Sequence, residues 1–470
     1  MAATIEWQSG ELGAAFALAA SAGRPIFLYW SAGWCPPCSR LKADLFSRPA
    51  FAQRMRNLLP FQLDGDAEGA QALAAHHKLR AYPTLVLYAP DGREITRLPC
   101  ELDGERLIDA LDLALAAGQA GQDAGAALQA ALAGTRALAD SEWSLLSLYS
   151  WDTDAGQLLA APQLAATLAR LAQACPGGDA AARLHLHAQV AAAGRMVVGA
   201  EVSGNAAANA ANAAAAIAAA ADRLLHVFGD SRLARANLDI LLHHGVSLIK
   251  WSGAHQGELV AALNQAARAF AADTELSVVD RLNALRLQMR LVRLGAPADG
   301  MAELVRQGVA DALAETHEAH ARHALLHVAL GALHDAGLAD QAEALLRTEL
   351  AISHAPYYWM LNLAADARRH GDTAGMLDWY GQAWQVATGS ATRLQWGVTY
   401  LASVVDYAPQ DLARIEQGAQ GMMRDIGAAG ADAWQQRNRT QLQRLAGKLS
   451  TIEVPGEHTR ALQRMLNAHL

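Results

Sequence analysis

Apolar residues in the first hundred positions form short runs separated by helical patterns. Pro25–Ser31, Leu59–Leu63 and Thr84–Tyr88 are largely apolar runs of strand length, which is typical of strands buried on both faces. Asp91-Gly92 is a strong hairpin signal and predicts a partner strand at Glu94–Leu98. Helical patterns surround these strands, at Glu11–Ala22, Cys38–Phe46, Ala50–Asn57, Gly69–His77 and Glu105–Ala116. This order predicts a mixed central sheet with helices on its faces.

The pattern changes near residue 118, after which alanine-rich helical patterns continue to Leu470. We therefore predict an α/β domain over residues 1–118 and an all-helical domain over residues 119–470, without a strand after Gly121. The low-complexity stretch Ala206–Ala221 is also predicted as helix, because alanine is the best helix former. Turn-forming residues interrupt the helical patterns at Cys175–Gly178, Gly229-Asp230, Gly295–Pro297, Gly337, His370-Gly371, Gly389, Ala408-Pro409 and Val454–Gly456.

One part of the helical domain has a repeat-like pattern. Gly337 and Gly371 lie 34 residues apart, which is the tetratricopeptide period, and several apolar positions match at this offset. The full repeat signature is absent, since Ala342 has Met376 at the equivalent position. We predict tetratricopeptide-like helical hairpins around residues 318–390.

Composition and charge narrow the function classes. The chain has 470 residues, of which 52% are hydrophobic and 18% charged, as in globular proteins. Its net charge of −8 gives no basic surface for nucleic acid, so no nucleic-acid partner is expected. The apolar stretch Leu12–Ala20 follows the acidic Glu6 and Glu11, whereas a secretory signal needs a basic region there. With no apolar run of membrane-spanning length, we expect a cytoplasmic protein without membrane contact.

The four cysteines are too few for a disulfide framework in so long a chain. Cys35 and Cys38 form a Cys-Pro-Pro-Cys motif that follows a predicted buried strand and opens a predicted helix. A helix N-terminus favours the reactive thiolate, so we expect Cys35 to be exposed and to attack a substrate disulfide. Cys38, one turn later, can then attack the mixed disulfide and release the reduced substrate.

The two prolines favour one direction of exchange. Pro36 and Pro37 have no N–H groups, so two early amides cannot donate to the Cys35 sulfur. A less stabilised thiolate makes the reduced pair a better electron donor, which favours a reductase. The alternatives are half of a zinc site, for which no second Cys-x-x-Cys or close Cys/His pair is present, and an inert cysteine pair.

These residues resemble the thioredoxin family. The resemblance rests on Trp34–Cys38, on Tyr82-Pro83-Thr84 before the third strand, and on Leu45–Phe51, which is similar to the reductase domains of thiol:disulfide interchange proteins. It covers about residues 4–117 and implies a thioredoxin-like fold. It also implies that Cys35 is the nucleophile, that Cys38 is the resolving thiol and that the Tyr82-Pro83 bond is cis and faces the disulfide.

The resemblance further implies a substrate groove next to the cysteines, with Trp30 packed beneath it and Trp34 at its rim. Residues expected to contact the substrate are Trp34, Pro36, Tyr82, Pro83 and Cys100.

Three positions depart from the family pattern. Tyr29 stands where a buried aspartate is common, and the neighbouring strand Pro60–Leu63 lacks the family's lysine. The missing carboxylate puts the rate and the pH dependence of disulfide exchange in doubt. We expect Tyr29 to pack in the core. Cys100 stands where a groove glycine is usual. It is either a third active thiol or, as we favour, a small residue at a strand end.

Three further features have both a structural and a functional interpretation. Five histidines crowd one helix and could bind a metal, but a polar helix face or interhelical hydrogen bonds are favoured; they are His317, His320, His323, His327 and His334. Aromatic residues between 357 and 407 could line a peptide groove, although core packing is favoured. Cys175, before a Pro-Gly-Gly turn, is expected to be a free surface or boundary thiol.

Together these observations predict a protein disulfide reductase whose helical domain recruits a substrate or partner. It would use no cofactor or metal, and a thiol electron donor such as a thioredoxin reductase or glutathione would reduce it again. The alternative is a redox-regulated chaperone or scaffold that binds clients through the helical domain.

Overall fold

A computed structural model of the chain describes residues 5–197 and 206–470. The N-terminal region alternates strands and helices as the hydrophobic pattern predicts. Strands β3 and β4 have the predicted bounds, and the helix after the cysteines continues as a π-helical turn at Leu41–Leu45. Its elements are α1 (Leu12–Ala22), β1 (Ile26–Ser31), α2 (Pro36–Arg40), α3 (Pro49–Met55), β2 (Leu59–Asp64), α4 (Ala70–His76), β3 (Thr84–Tyr88), β4 (Glu94–Leu98) and α5 (Gly104–Gln119).

The four strands form one mixed sheet in the order β2-β1-β3-β4. β1 pairs in parallel with β2 and antiparallel with β3, which pairs antiparallel with β4. All six residues of β1 are buried, because alternate side chains enter cores on opposite faces. Phe27 and Tyr29 face α3 and α5, whereas Leu28 and Trp30 face α1 and α4. The central strand thus holds the start of α2, and the cysteines with it, in a rigid frame.

The remainder of the described chain is helical. The turn-forming residues predicted to interrupt the helical patterns all fall between helices or at their ends. The helices are α6 (Ala124–Ala133), α7 (Asp140–Ser147), α8 (Leu164–Ala174), α9 (Gly178–Val197), α10 (Ala206–Gly229), α11 (Ser231–Ala236), α12 (Leu238–Lys250), α13 (Gln256–Ala272), α14 (Val278–Val292), α15 (Met301–Glu315), α16 (Ala319–Asp335), α17 (Ala339–Leu350), α18 (Pro356–Arg369), α19 (Thr373–Val386), α20 (Ser390–Tyr407), α21 (Leu412–Ala429), α22 (Gln436–Leu449) and α23 (Glu457–His469). Within residues 5–197 and 206–470, no helix has the length and apolar character needed to cross a membrane.

The helices around residues 318–390 pack as neighbours in chain order, α16 on α17 and α18 on α19. Packing of consecutive helices is compatible with hairpins, and the tetratricopeptide-like assignment itself stays a prediction. The aromatic residues of this part and of α20 are mostly buried: Tyr357, Trp359, Trp384, Trp396 and Tyr400 belong to the core, whereas Tyr407 is exposed. Cys175 is free, as expected, and it lies at the boundary between α8 and α9, where it is buried rather than on the surface.

The α/β region and the helices share one continuous core. The cluster on the α5 face of the sheet also contains side chains from α18, α20 and α21. At the β4 edge of the sheet, the Arg97 side chain is fully buried and donates to the carbonyls of His77 and Lys78. The same guanidinium donates to the carbonyls of Thr153 and Asp154, beyond α5. The helical region therefore contacts the α/β region both on the α5 face of the sheet and at its β4 edge.

Candidate active site

Cys35 and Cys38 form a disulfide at the start of α2, with their Cα atoms 5.2 Å apart. Cys35 is the N-cap residue, with extended backbone, and its sulfur accepts a hydrogen bond from the Cys38 amide at 3.2 Å. Pro36 and Pro37 occupy the first two helical positions, where a missing N–H costs little. The sequence therefore builds a helix start that fixes both sulfurs side by side. Of the amides in this first turn, the one that donates to the Cys35 sulfur is that of Cys38.

Tyr29 lies in the core beneath α2, as expected from its place in β1. Its ring packs against Trp7 and Phe46, with ring centroids 5.6 and 5.0 Å away. Its hydroxyl donates to the carbonyl oxygen of Cys38 at 3.3 Å. Burial raises the pKa of Tyr29 above its ordinary value, so the phenol stays neutral and serves as a donor.

The loop before β3 has the expected geometry, since the Tyr82-Pro83 peptide bond is cis. The Tyr82 ring packs on the Trp30 ring, with centroids 5.0 Å apart, which places Trp30 beneath the loop. The Cys100 sulfur lies 3.5 Å from the Pro83 carbonyl oxygen. Cys100 is a free, buried thiol, and burial raises its pKa. A thiol that is buried and protonated is a poor nucleophile.

The comparisons with known proteins address this part of the chain. The family model described as a thioredoxin-like domain matches residues 12–115. Residues 12–115 are a thioredoxin-like domain. A stretch of 114 residues is 32% identical to the thiol:disulfide interchange protein DsbD 1 of Pseudomonas aeruginosa. The matched stretch covers 23% of this chain and 19% of that protein. The chain thus spans about a fifth of that relative's length.

Two solved structures are similar to the thioredoxin-like domain. One is a thioredoxin from Thermus thermophilus, 22% identical, with a TM-score of 0.22 over 24% of this chain and 89% of that one. The other is a DsbH oxidoreductase, 20% identical, with a TM-score of 0.22 over 24% of this chain and 87% of that one. At a general level, the family match and the close cysteine pair support thiol–disulfide oxidoreductase chemistry for the domain.

The Cys35–Cys38 disulfide of the thioredoxin-like domain is buried, which contradicts the expectation of an exposed Cys35. Cys35 is 2% exposed and Cys38 is 1% exposed. The cause is the helical region, whose residues lie directly on the face that was expected to be open. In this arrangement the sulfurs are closed to a protein substrate.

Trp34, the residue expected at the rim of the groove, is buried by several residues of the helical region. Its ring stacks on Tyr358, with centroids 5.5 Å apart and planes at 15°, and it lies 5.1 Å from the Trp396 ring. Its indole N–H donates to the Thr392 hydroxyl at 2.9 Å. The guanidinium of Arg437 lies over the same indole, 5.8 Å from the ring centre.

Asp66, which follows β2, completes this contact. Its carboxylate accepts from the Thr392 hydroxyl at 2.6 Å and from the Thr392 amide at 2.7 Å. An acidic side chain of the thioredoxin-like domain therefore binds the first turn of α20. Gly389 leaves room for it, because a Cβ there would lie only 2.2 Å from the Asp66 carboxyl carbon. Sequence analysis missed Asp66 and Thr392, since no local pattern marks them.

The histidines of α16 contact the active-site loop and helix. The Nε2 of His323 lies 2.9 Å from the Trp34 carbonyl oxygen, and the Nδ1 of His320 lies 3.3 Å from the Ser39 hydroxyl. His354, after α17, has its Nε2 3.3 Å from the Gly33 carbonyl. Burial lowers the pKa of His323 to about 4, so its ring is neutral, and since a carbonyl only accepts, Nε2 carries the proton. In the described residues, no three His, Cys, Asp or Glu side chains are arranged to hold a metal.

A buried ion pair also joins α2 to the helical region. The guanidinium of Arg40 binds both carboxylate oxygens of Asp280 on α14, at 2.8 and 2.9 Å, and its other nitrogen binds Glu101 at 2.9 Å. The Arg40 and Asp280 side chains are 7% and 2% exposed. Both Asp280 oxygens accept from the same guanidinium nitrogen, and the second terminal nitrogen binds Glu101, so the charge-assisted hydrogen bonds fix the orientation of the Arg40 side chain. Arg40 therefore fixes the active-site helix against α14.

Proposed function

We propose that the protein is a thiol–disulfide oxidoreductase that reduces protein disulfides. The Cys35 thiolate attacks one substrate sulfur, forms a mixed disulfide and displaces the other substrate sulfur as a thiolate. The Cys38 thiolate then attacks the Cys35 sulfur, which closes the Cys35–Cys38 disulfide and releases the second substrate thiolate. A thiol donor such as a thioredoxin reductase or glutathione supplies the two electrons that restore the dithiol. The observation that carries the proposal is the cysteine pair itself, joined at the N-terminus of α2.

The direction of exchange follows from the donors around Cys35. Prolines at the first two helical positions leave the Cys38 amide to stabilise its sulfur. A thiolate with few donors is a weak leaving group and a good reductant. We therefore expect a reduction potential near that of thioredoxin, about −270 mV, whereas a value near about −120 mV would contradict a reductase. Equilibration with glutathione, followed by mass analysis, measures it.

Catalysis by this dithiol requires an opening movement. Because both sulfurs are buried under α16, α18 and α20, a substrate reaches them only when the helical region moves away from Trp34. After opening, Trp34, Pro36, Tyr82, Pro83 and Cys100 form the face that contacts the substrate. The helical region then acts as the recruiting element, and its binding to a substrate or partner favours the open arrangement. A cytoplasmic location belongs to the same proposal and agrees with four cysteines in 470 residues.

Trapping experiments test the assigned roles. With a disulfide-containing protein such as insulin, Cys38→Ser should accumulate a covalent mixed disulfide, because the resolving thiol is absent. Cys35→Ser should form none, and both variants should lose dithiothreitol-driven turnover. Equal turnover by wild type and Cys35→Ser would exclude the enzyme. The Cys175→Ser variant is the matched control, and it should turn over like wild type because this free cysteine packs against α8 and α9, apart from the active-site pair.

The second candidate is a redox-regulated chaperone or scaffold, and the burial of the disulfide favours it. A cysteine pair inside a contact between two regions changes that contact when it is reduced, which suits a sensor as well as an enzyme. Client binding by the full chain separates the two functions. A sensor should suppress client aggregation to different extents in its oxidised and reduced forms. The Cys35→Ser variant should suppress aggregation to the same extent under oxidising and reducing conditions.

A further inference from the structure

A cavity of about 260 Å³ lies beside the dithiol, between α2, α14 and α16. Pro36 and Pro37, the two residues between the cysteines, form part of its wall. The charged and titratable groups of the wall are Arg40, Glu101, His243, Arg286, Arg290 and His327. The disulfide exchange described above uses none of these groups.

The acidic group of the cavity is already neutralised. The carboxylate of Glu101 binds Arg40 at 2.9 Å and lies 3.3 Å from His243. Burial raises its pKa, but the hydrogen bond from His243 and the two neighbouring cations outweigh this and bring it to about 2. Arg40 has a second partner in Asp280. The charge of Glu101 therefore does not neutralise the remaining cations of the cavity wall.

The arginines of α14 are in excess over their acidic partners. Arg286 and Arg293 share one carboxylate, Asp335, at 2.8 and 3.4 Å. Arg290, between them, makes neither an ion pair nor a hydrogen bond with any residue in 5–197 or 206–470. Its guanidinium is half-buried, and burial together with the charge of Arg286 lowers its pKa. A guanidinium stays charged in proteins, so the cavity wall carries an uncompensated positive charge.

His327 adds a polar group without a partner. Its side chain is solvent-exposed and makes no hydrogen bond within the described chain, and the surrounding protein together with the nearby Arg286 lowers its pKa. A neutral imidazole offers one N–H donor and one acceptor. A guanidinium and an imidazole N–H that line one cavity are groups with which proteins bind carboxylates and phosphates.

We propose that this cavity binds a small oxyanion, a carboxylate or phosphate group on a molecule no larger than a dipeptide. Arg290 is the principal cation, and His327 supplies a second donor. The volume of about 260 Å³, just below the usual range of ligand pockets, suits a small head group. Pro36 and Pro37 place the ligand against the active-site helix, so a bound anion also links α2 to α14. The site does not depend on the proposed enzyme activity, because binding is measured on the oxidised protein.

Binding of inorganic phosphate and of succinate to the oxidised full chain tests the proposal. Calorimetry and thermal unfolding are measured at constant ionic strength, with chloride as the background anion. We expect saturable binding of at least one probe, and the probe that binds identifies the head group. Arg290→Gln should weaken binding tenfold or more, while Arg232→Gln, which changes a 65% exposed arginine on α11, should leave it unchanged.

A second variant keeps the test valid if Arg290→Gln folds poorly. Asn283 lies in the same wall, and Asn283→Asp adds a carboxylate that should repel either probe and abolish binding. The proposal is overturned if neither probe binds wild type above the chloride background. It is also overturned if a folded Arg290→Gln or Asn283→Asp variant binds as tightly as wild type.

Discussion

The Thr392 hydroxyl joins the two regions over the dithiol, and its removal should open the site. It accepts the indole N–H of Trp34 at 2.9 Å and donates to Asp66 at 2.6 Å, and Thr392 is 3% exposed. Thr392→Val keeps the shape of the side chain but leaves a buried N–H and a carboxylate oxygen without this partner. Thr392→Ser keeps the hydroxyl and is the matched control.

The expected effect follows from the two lost hydrogen bonds. A neutral hydrogen bond contributes about 1 kcal/mol and one to a carboxylate about 1.5–3 kcal/mol. In the open arrangement water satisfies the same groups, so the loss of about 3 kcal/mol falls on the closed arrangement alone. Since 1.4 kcal/mol is a factor of ten, the open population should rise about 100-fold.

Alkylation of the reduced protein measures this population. Iodoacetamide reacts with Cys35 only when the sulfur is accessible, and mass analysis follows the reaction. Thr392→Val should react about 100-fold faster than wild type, a factor that follows from the free energy above. Thr392→Ser should react at a rate within a few-fold of the wild-type rate. Asp372→Ala, which removes the N-cap of α19 away from Trp34, controls for general loss of stability. Equal rates in wild type and Thr392→Val, or equal acceleration in all three variants, would refute the reasoning.

Two further predictions concern buried charges. Asp280→Ala leaves the buried Arg40 guanidinium with Glu101 as its remaining partner and should lower the free energy of unfolding in urea by about 3 kcal/mol, the lower end of the range for a broken buried pair; Glu303→Ala, at a fully exposed pair, should leave it unchanged within error, and equal losses would contradict the role of Arg40. Burial raises the pKa of Asp239, but Arg183 outweighs this and brings it to about 2, below the ordinary 3.8. The stability that this carboxylate contributes, about 2 kcal/mol, is therefore present above about pH 4 and lost as the pH falls through about 2, so urea unfolding at pH 5, 4 and 3 should show a decline that Asp239→Asn reduces.

Local patterns predicted the elements of this protein well. Thr84–Tyr88 and Glu94–Leu98 are strands with the predicted bounds, because β-rich runs flanked by turn residues leave little choice of conformation. The cysteine pair and the cis Tyr82-Pro83 bond also lie where the sequence and the family resemblance predicted them.

The environment of the dithiol could not be predicted in the same way. Trp34 and Thr392 are 358 residues apart in the chain, and Arg40 and Asp280 are 240 apart. Hydrophobic periodicity shows which face of a helix is buried but not which distant element covers it. The burial of Cys35 follows from such long-range contacts, and for that reason the expectation of an exposed thiol failed.

The position of Arg97 has a consequence for any attempt to divide the protein. Its guanidinium is held by backbone carbonyls from both sides of residue 118, so it belongs equally to the two regions. A fragment that ends after α5 would keep the cation with its Glu94 ion pair but lose two of its four carbonyl acceptors, together with the apolar surface that Trp34 now shares with α18 and α20. Limited proteolysis should accordingly yield no stable fragment that ends near residue 118. Expression of the thioredoxin-like domain by itself calls for replacement of Arg97 and Trp34.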